Sequence, residues 1–233
     1  MNGIFAPNRA TATTPTTRIE TPGRQWLDRV LAAAGLTLAA PVCVLVALAI
    51  RCEDGGPVLF RQKRAGQNGV PFELLKFRSM FENAGKVAGP LVTAAGDRRV
   101  TRTGRWLRKF KLDELPQLWN VVRGEMSLVG PRPEVARYVD LEQPVWQRVL
   151  SVRPGITDAA TLVYREEERI LASFADAERG YRETVLPDKL ALNLAYLERR
   201  TLWRDTRLLA LTAFYSLLPG AFDARRIRRR ILS

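Results

Sequence analysis

From Val30 to Ile50 the chain runs for 21 residues without a charge. At 1.5 Å per residue a helix of that length covers about 31 Å, enough to cross the hydrocarbon core of a bilayer. A buried core helix and a cleaved signal peptide, with Ala47-Leu48-Ala49 as cleavage site, are the alternatives. The length argues against the first and the long polar stretch before the run against the second. Pro41 stands in the middle of the run and withdraws the amide that would bond the Thr37 carbonyl, so the helix kinks or breaks there. Arg18, Arg24 and Arg29 precede the run; Arg51, Arg61, Lys63 and Arg64 follow it. Positive charge prefers the cytoplasmic side, and a helix that leaves by the face it entered satisfies both flanks. A Pro-kinked straight span is the competing geometry.

Composition narrows the chemistry. The formal charge is +13, from 37 Lys+Arg against 24 Asp+Glu, which predicts anionic partners. The chain has no histidine, so Ser-His-Asp and Cys-His nucleophiles, His-ligated zinc and imidazole bases are excluded. Carboxylates, Lys, Arg, Tyr or a hard metal ion are what remain. Cys43 and Cys52 form no C-x-x-C pair and read as reduced, structural thiols, in keeping with a protein facing the cytoplasm.

Downstream, PVLFRQ and PFELLKF flank Gly66-Gln67-Asn68-Gly69 and predict a β-hairpin with an Asn-Gly turn or a longer Gly-rich loop. Lys76 and Arg78 alternate, which points them to one face of a strand; pattern alone favours a solvated edge. Residues 83–99, with Gly85, Gly89, Pro90 and Gly96, read as a loop. The segment KLDELPQLWNVVRGEMSLVGPRPE then sets Asp113 and Glu114 among Arg108, Lys109, Lys111, Arg123 and Arg132. Asp113 suits a helix N-cap, with Pro116 in the first turn and Leu115, Leu118, Trp119 and Val122 as the packed stripe. The same helix start would stabilise an ionised Asp and attract phosphate. An ionised Asp can attack phosphorus without a histidine, and Glu114 could hold Mg²⁺ beside a diphosphate. Spacing leaves this chemistry level with simple capping and surface ion pairs.

The segment resembles closely the bacterial sugar transferase family, monotopic phosphoglycosyl transferases that load a sugar 1-phosphate onto polyprenyl phosphate. The resemblance is carried by the Pro41-interrupted helix, GPVLFRQKRAG, FELLKFRSM, the block DRRVTRTGRWLRKFKLDELPQLWNVVRGEMSLVGPRPE, and VRPGITD. It implies a two-step reaction in which Asp113 attacks the sugar-linked phosphorus of a UDP-sugar and releases UMP, after which polyprenyl phosphate takes the phosphosugar. Glu114, with Asp113, is implied as the Mg²⁺ site. Arg108, Arg132 and Arg165 are the implied substrate-binding arginines and Lys76 the lysine, with Arg78 a further candidate in the K-F-R segment. A fixed Pro131-Arg132-Pro133 corner suits charge-assisted donors to phosphate oxygens. The resemblance also implies the bacterial inner (cytoplasmic) membrane, with the catalytic domain facing the cytoplasm, and the first membrane step of a surface glycan pathway. The partners are thus a UDP-sugar, polyprenyl phosphate and anionic membrane lipids, with a homodimer kept open and no nucleic acid, for which no recognition motif exists.

Two departures stand out. Ala40 occupies the place where many relatives have a Ser before the proline, leaving Thr37 as the nearby hydroxyl. Asp158 follows R-P-G-I-T where many relatives have Gly, which puts nucleotide-sugar contacts there in doubt. The chain beyond offers Leu190 to Leu218, an amphipathic stretch that either lies in the membrane interface or packs on the catalytic domain, then a basic RRIRRR tail. The expected organisation is a disordered tail (1–24), a re-entrant membrane helix (25–51), a catalytic core (52–170) and interfacial C-terminal helices with a basic tail (171–233). The expected fold is α+β, helix-dominated with a small β-hairpin. The rival functions are a non-catalytic membrane-anchored scaffold and a UDP-sugar hydrolase.

Overall fold

The computed structural model describes residues 21–82 and 92–232, so the tail to residue 20 and residues 83–91 of the Gly-rich loop lie outside it. Helix α1 runs from Pro22 to Asp54. It begins where the Thr21 hydroxyl accepts from the Arg24 amide and proline takes the first turn, and it stops at Gly55 in the left-handed region. It is three residues longer at each end than the expected 25–51. Pro41 lies inside this single helix, and the Thr37 hydroxyl donates to the Ala33 carbonyl (2.9 Å), not to the carbonyl that Pro41 frees.

The helix is long and apolar enough to cross a membrane. Its middle has little protein against it: Leu38 is 83% exposed, and Val44, Leu45 and Leu48 are exposed too. Such a run of bare apolar side chains calls for a nonaqueous surface, and the protein is membrane-associated. The two ends, by contrast, are fastened to the body. Arg24 pairs with Asp205, and the Ser127 hydroxyl donates to Asp28 (2.6 Å). At the other end Asp54 pairs with Arg78, and Glu53 accepts from the Arg102 and Thr103 amides (2.7 and 3.1 Å).

Strands β1 (Leu59–Ala65) and β2 (Pro71–Phe77) form the expected antiparallel hairpin, paired from Leu59↔Phe77 to Ala65↔Pro71. Asn68 and Gly69 both take positive φ at its turn, the conformation for which Asn-Gly is suited. Helices α2 (Arg102–Phe110) and α3 (Gln117–Arg123) follow, joined by a 3₁₀ turn over Leu112–Glu114. A second sheet, unforeseen in the sequence, pairs β3 (Ser127–Val129) with β4 (Gly155–Thr157) in parallel. Between them lies α4 (Pro144–Val149).

The rest is helical: α5 (Ala159–Val163), α6 (Glu167–Leu171), α7 (Ala177–Gly180), a π-helical turn (Tyr181–Val185), α8 (Leu186–Glu198), α9 (Leu202–Leu217) and α10 (Ala224–Leu232). The expected single amphipathic stretch over Leu190–Leu218 is therefore two helices. The first ends at Glu198, and Thr201 caps the second, its hydroxyl accepting from the Arg204 amide. Leu192, Tyr196, Leu208, Tyr215 and Ile227 pack with Val129, Ala159 and Leu162 in one core. The C-terminal helices are thus part of the body and share its core. Outward-facing Trp203, Phe214 and Leu217 leave an apolar face on α9.

Candidate active site

The turn that carries the two carboxylates is set by the end of α2. Lys111 adopts the left-handed conformation (φ 58°), which is costly for a side chain with a Cβ, and its amide donates to the Arg108 carbonyl. The reversal turns Leu112–Glu114 inward, and Asp113 and Glu114 are both buried. Asp113 does not serve as the expected N-cap: Pro116 precedes the first residue of α3, and the Asp113 Oδ1 atom is buried with no hydrogen-bond partner.

Glu114 is the opposite case. Arg132 grips it with both guanidinium nitrogens (2.6 and 3.3 Å), and Lys76 Nζ lies 3.2 Å from Oε1. Burial works to raise the Glu114 carboxyl, but Arg132, Lys76 and Lys111 outweigh it and hold the group well below the usual carboxylate range. Burial pushes the Lys76 ammonium down to about 8 against the pull of Glu114. For Arg132 the Glu114 pair overcomes the cost of burial and holds the proton more firmly than usual.

Arg132 is aimed by its backbone. Gly130 and Gly155 bring β3 and β4 so close that a Cβ on Gly155 would sit 2.1 Å from the Gly130 nitrogen. This contact gives both the G-P-R-P and R-P-G-I-T segments their glycine. Asp158, one residue past β4, accepts from the Arg132 amide (2.5 Å), from Asn193 Nδ2 (3.0 Å) and from the Thr161 amide, capping α5. The residue that departs from many relatives is thus a buried strut behind the Pro-Arg-Pro corner. Arg64 Nη1 donates to the Pro133 carbonyl (3.0 Å), tying β1 to the same corner.

Of the cations read from sequence, Lys76 and Arg132 meet at Glu114. Arg108 leaves α2 toward the Ser79 hydroxyl (2.9 Å) and Glu168 (2.8 Å). Arg165 donates to the Lys109 carbonyl (3.3 Å), and burial lowers its guanidinium against the attraction of Glu166 and Glu114. Arg78 is engaged elsewhere: its guanidinium is on Asp54 and on the Pro57 carbonyl, where it holds α1 and not the carboxylates.

Several residues of the site escaped the sequence reading. Asn120 holds α3 to β2, accepting from the Leu75 amide (3.1 Å) and donating to the Glu73 carbonyl (2.8 Å), and so fixes Lys76 against Glu114. Gln117 is 1% exposed. Both lie at helical spacing from Asp113, the signal that would have found them. Behind the corner, Glu134 accepts from the Tyr181 hydroxyl (2.8 Å) and lies 3.5 Å from Lys189, which also reaches Glu167 (2.9 Å). The π-helical turn places Tyr181 in this group.

As donors the two carboxylates suit Mg²⁺, which takes hard oxygens from one or two protein carboxylates and completes its shell with phosphate and water. Among the described residues no larger group of His, Cys, Asp or Glu is placed to hold a metal. The unpartnered Asp113 Oδ1 is an open oxygen donor of this kind.

The model of the family described as bacterial sugar transferase matches residues 19–218. The chain belongs to the bacterial sugar transferase family. It is 41% identical over 206 residues to a UDP-glucose:undecaprenyl-phosphate glucose-1-phosphate transferase of Caulobacter vibrioides, covering 85% of this chain and 71% of that protein. A transferase of the same description from Escherichia coli is 36% identical, over 95% of this chain and 45% of its own length. A UDP-N-acetylgalactosamine-undecaprenyl-phosphate N-acetylgalactosaminephosphotransferase of Aeromonas hydrophila is 36% identical, over 87% of this chain and 45% of its own. The chain thus spans less than half the length of these last two relatives. Membership makes it a sugar transferase, and the residues around Asp113 are the place to seek that chemistry.

Proposed function

We propose that this sugar transferase is a phosphoglycosyl transferase that moves a sugar 1-phosphate from a UDP-sugar to polyprenyl phosphate by way of Asp113. The observation that carries the reading is the contrast between neighbours. Glu114 is held by Arg132 and Lys76, while Asp113 keeps a buried, unpartnered oxygen in the same basic pocket. A free carboxylate oxygen among cations is the arrangement a nucleophile toward a diphosphate requires. An Asp113 oxygen attacks the sugar-linked phosphorus, the bond to the UMP oxygen breaks, and UMP leaves with the electron pair. A phosphate oxygen of the polyprenyl acceptor then attacks the same phosphorus and frees Asp113. Arg132, Lys76, Arg108 and Arg165 supply positive charge to the phosphate oxygens. Asp113 and Glu114 would hold Mg²⁺, which when bound neutralises diphosphate charge.

The named substrates of the relatives support the acceptor and donor class: each name carries undecaprenyl phosphate and a UDP-sugar. The sugars in those names differ, glucose in two and N-acetylgalactosamine in the third, so the family does not fix the sugar.

The fastened ends of α1 support a re-entrant helix. Ala32 packs in a cluster with Leu74 of β2, and Val46 and Ile50 pack in another with Phe77 of the same strand. With both ends packed on the hairpin side of the body, a bend at Pro41 keeps them on one face of the membrane, the cytoplasmic one by the charge of the flanks. The apolar face of α9 and exposed Trp106 of α2 suit the interface, and the reaction would open a surface glycan pathway at the inner membrane.

The test is UMP release by the full chain in lipid nanodiscs with Mg²⁺, polyprenyl phosphate and a panel of UDP-sugars. Lipid-dependent turnover on one sugar, abolished by Asp113→Asn in a folded protein, is the expected result. UMP release without the lipid acceptor would make the protein a hydrolase, and no turnover on any sugar would leave a membrane scaffold.

A further inference from the structure

Gln117 has no role in the chemistry described so far, yet it is among the most buried side chains of the molecule. Its Nε2 has no hydrogen-bond partner. A buried amide N–H left unpaired is destabilising, so an orphan donor at such a place needs a reason. The chain from Leu112 follows a helical path through Leu115 and Pro116 into α3, with the Leu118 and Trp119 amides donating to the Leu115 and Pro116 carbonyls. Gln117 therefore stands a little over one turn beyond Asp113 along this path. Asn120, the next polar residue, is locked to the β2 backbone. The segment thus presents an anchored Asn120, an orphan donor at Gln117 and an orphan acceptor at Asp113 Oδ1.

We propose that Gln117 is a positioning residue for the Asp113 nucleophile. As phosphorus is attacked, the Gln117 amide donates to one oxygen of the Asp113 carboxylate while the other forms the new bond. The two orphans are complementary, a donor and an acceptor four residues apart in the chain. Pairing made as phosphorus is attacked, and not on binding, puts the gain in the transition state, where it raises the rate and leaves KM alone. The inference rests on Asp113 being the nucleophile.

The test is Gln117→Met, close in shape and without the donor, read by single-turnover UMP release, by KM for the UDP-sugar and by thermal unfolding in the same nanodiscs. A positioning role gives a fall of roughly 10- to 100-fold in the single-turnover rate, an unchanged KM, and a melting temperature equal to or above wild type, because an orphan donor has been removed. Gln117→Asn, which keeps the amide on a shorter stem, is expected to fall between Gln117→Met and wild type in rate. A wild-type rate in Gln117→Met overturns the inference. So does a lowered melting temperature in both variants with lost rate, which makes Gln117 a structural residue. If wild type itself releases no UMP, it is the reaction assigned to Asp113 that fails.

Discussion

Asp158 shows how one carboxylate can serve the site without touching substrate. It caps α5, holds the Arg132 amide and accepts from Asn193, all while buried. Asp158→Ala removes a cap and strands the Asn193 donor, and a loss of about 2–4 kcal/mol in chemical unfolding is expected. Arg132→Lys removes the two-pronged grip on Glu114 while keeping the charge. A fall of roughly 10- to 100-fold in kcat/KM for UMP release, with little change in stability, is expected. At this scale the sequence was readable wherever a residue's use is local: Asp113, Glu114, Lys76 and Arg132 belong to dense motifs, and the structure gathers them. Arg78 misled because alternation along a strand says nothing about an acid, Asp54, arriving from another element. Gln117 and Asn120 were hidden because buried amides look like any polar helix residue until the facing strand is known.

Elements divide along similar lines. The apolar run, the hairpin and α3 declare themselves through period and turn chemistry. The β3–β4 pair does not: three-residue strands carry no pattern, and their pairing depends on two glycines 25 residues apart meeting backbone to backbone. For α1, a membrane-impermeant maleimide is expected to label exposed Cys52 and an added Thr21→Cys from the cytoplasmic side alone; labelling of the two from opposite sides would mean a spanning helix. For α10, Arg228 grips Asp188 with both nitrogens (2.6 and 2.7 Å). Those bonds, aided by the Tyr164 hydroxyl, overcome partial burial and hold Asp188 below its ordinary value of 3.8. A lowered carboxylate stabilises the fold fully above its unfolded value and loses that contribution as pH falls through the lower folded one. Docking of α10 is therefore expected to be indifferent to pH near neutrality and to weaken only below about pH 3.8, seen as faster pepsin cleavage in 218–232. Arg228→Gln is expected to free α10 at pH 7, read as faster tryptic cleavage there.

The whole molecule joins a bare apolar helix to a body of strong positive charge, and the two should act on different lipids. Binding to vesicles containing anionic lipid is expected to exceed binding to zwitterionic ones at low salt. The difference is expected to shrink at about 0.5 M salt as the charges are screened, leaving the apolar contribution of α1. The C-terminal helices belong to this same unit, since Leu208, Tyr215 and Ile227 close the core over Ala159 and Leu162. That closure could not be read from the amphipathic pattern, which suits a membrane interface and a protein core equally well. Glu53 carries the point further. It sits in the last turn of α1 and accepts from the first amides of α2, the helix that leads through Arg108 and Lys111 to Asp113. A fragment trimmed free of the apolar helix would start α2 without that support and without the Asp54 clasp on Arg78. Bilayer thickness or tension that shifts the helix is therefore expected to reach the Asp113 turn through Glu53 and Asp54.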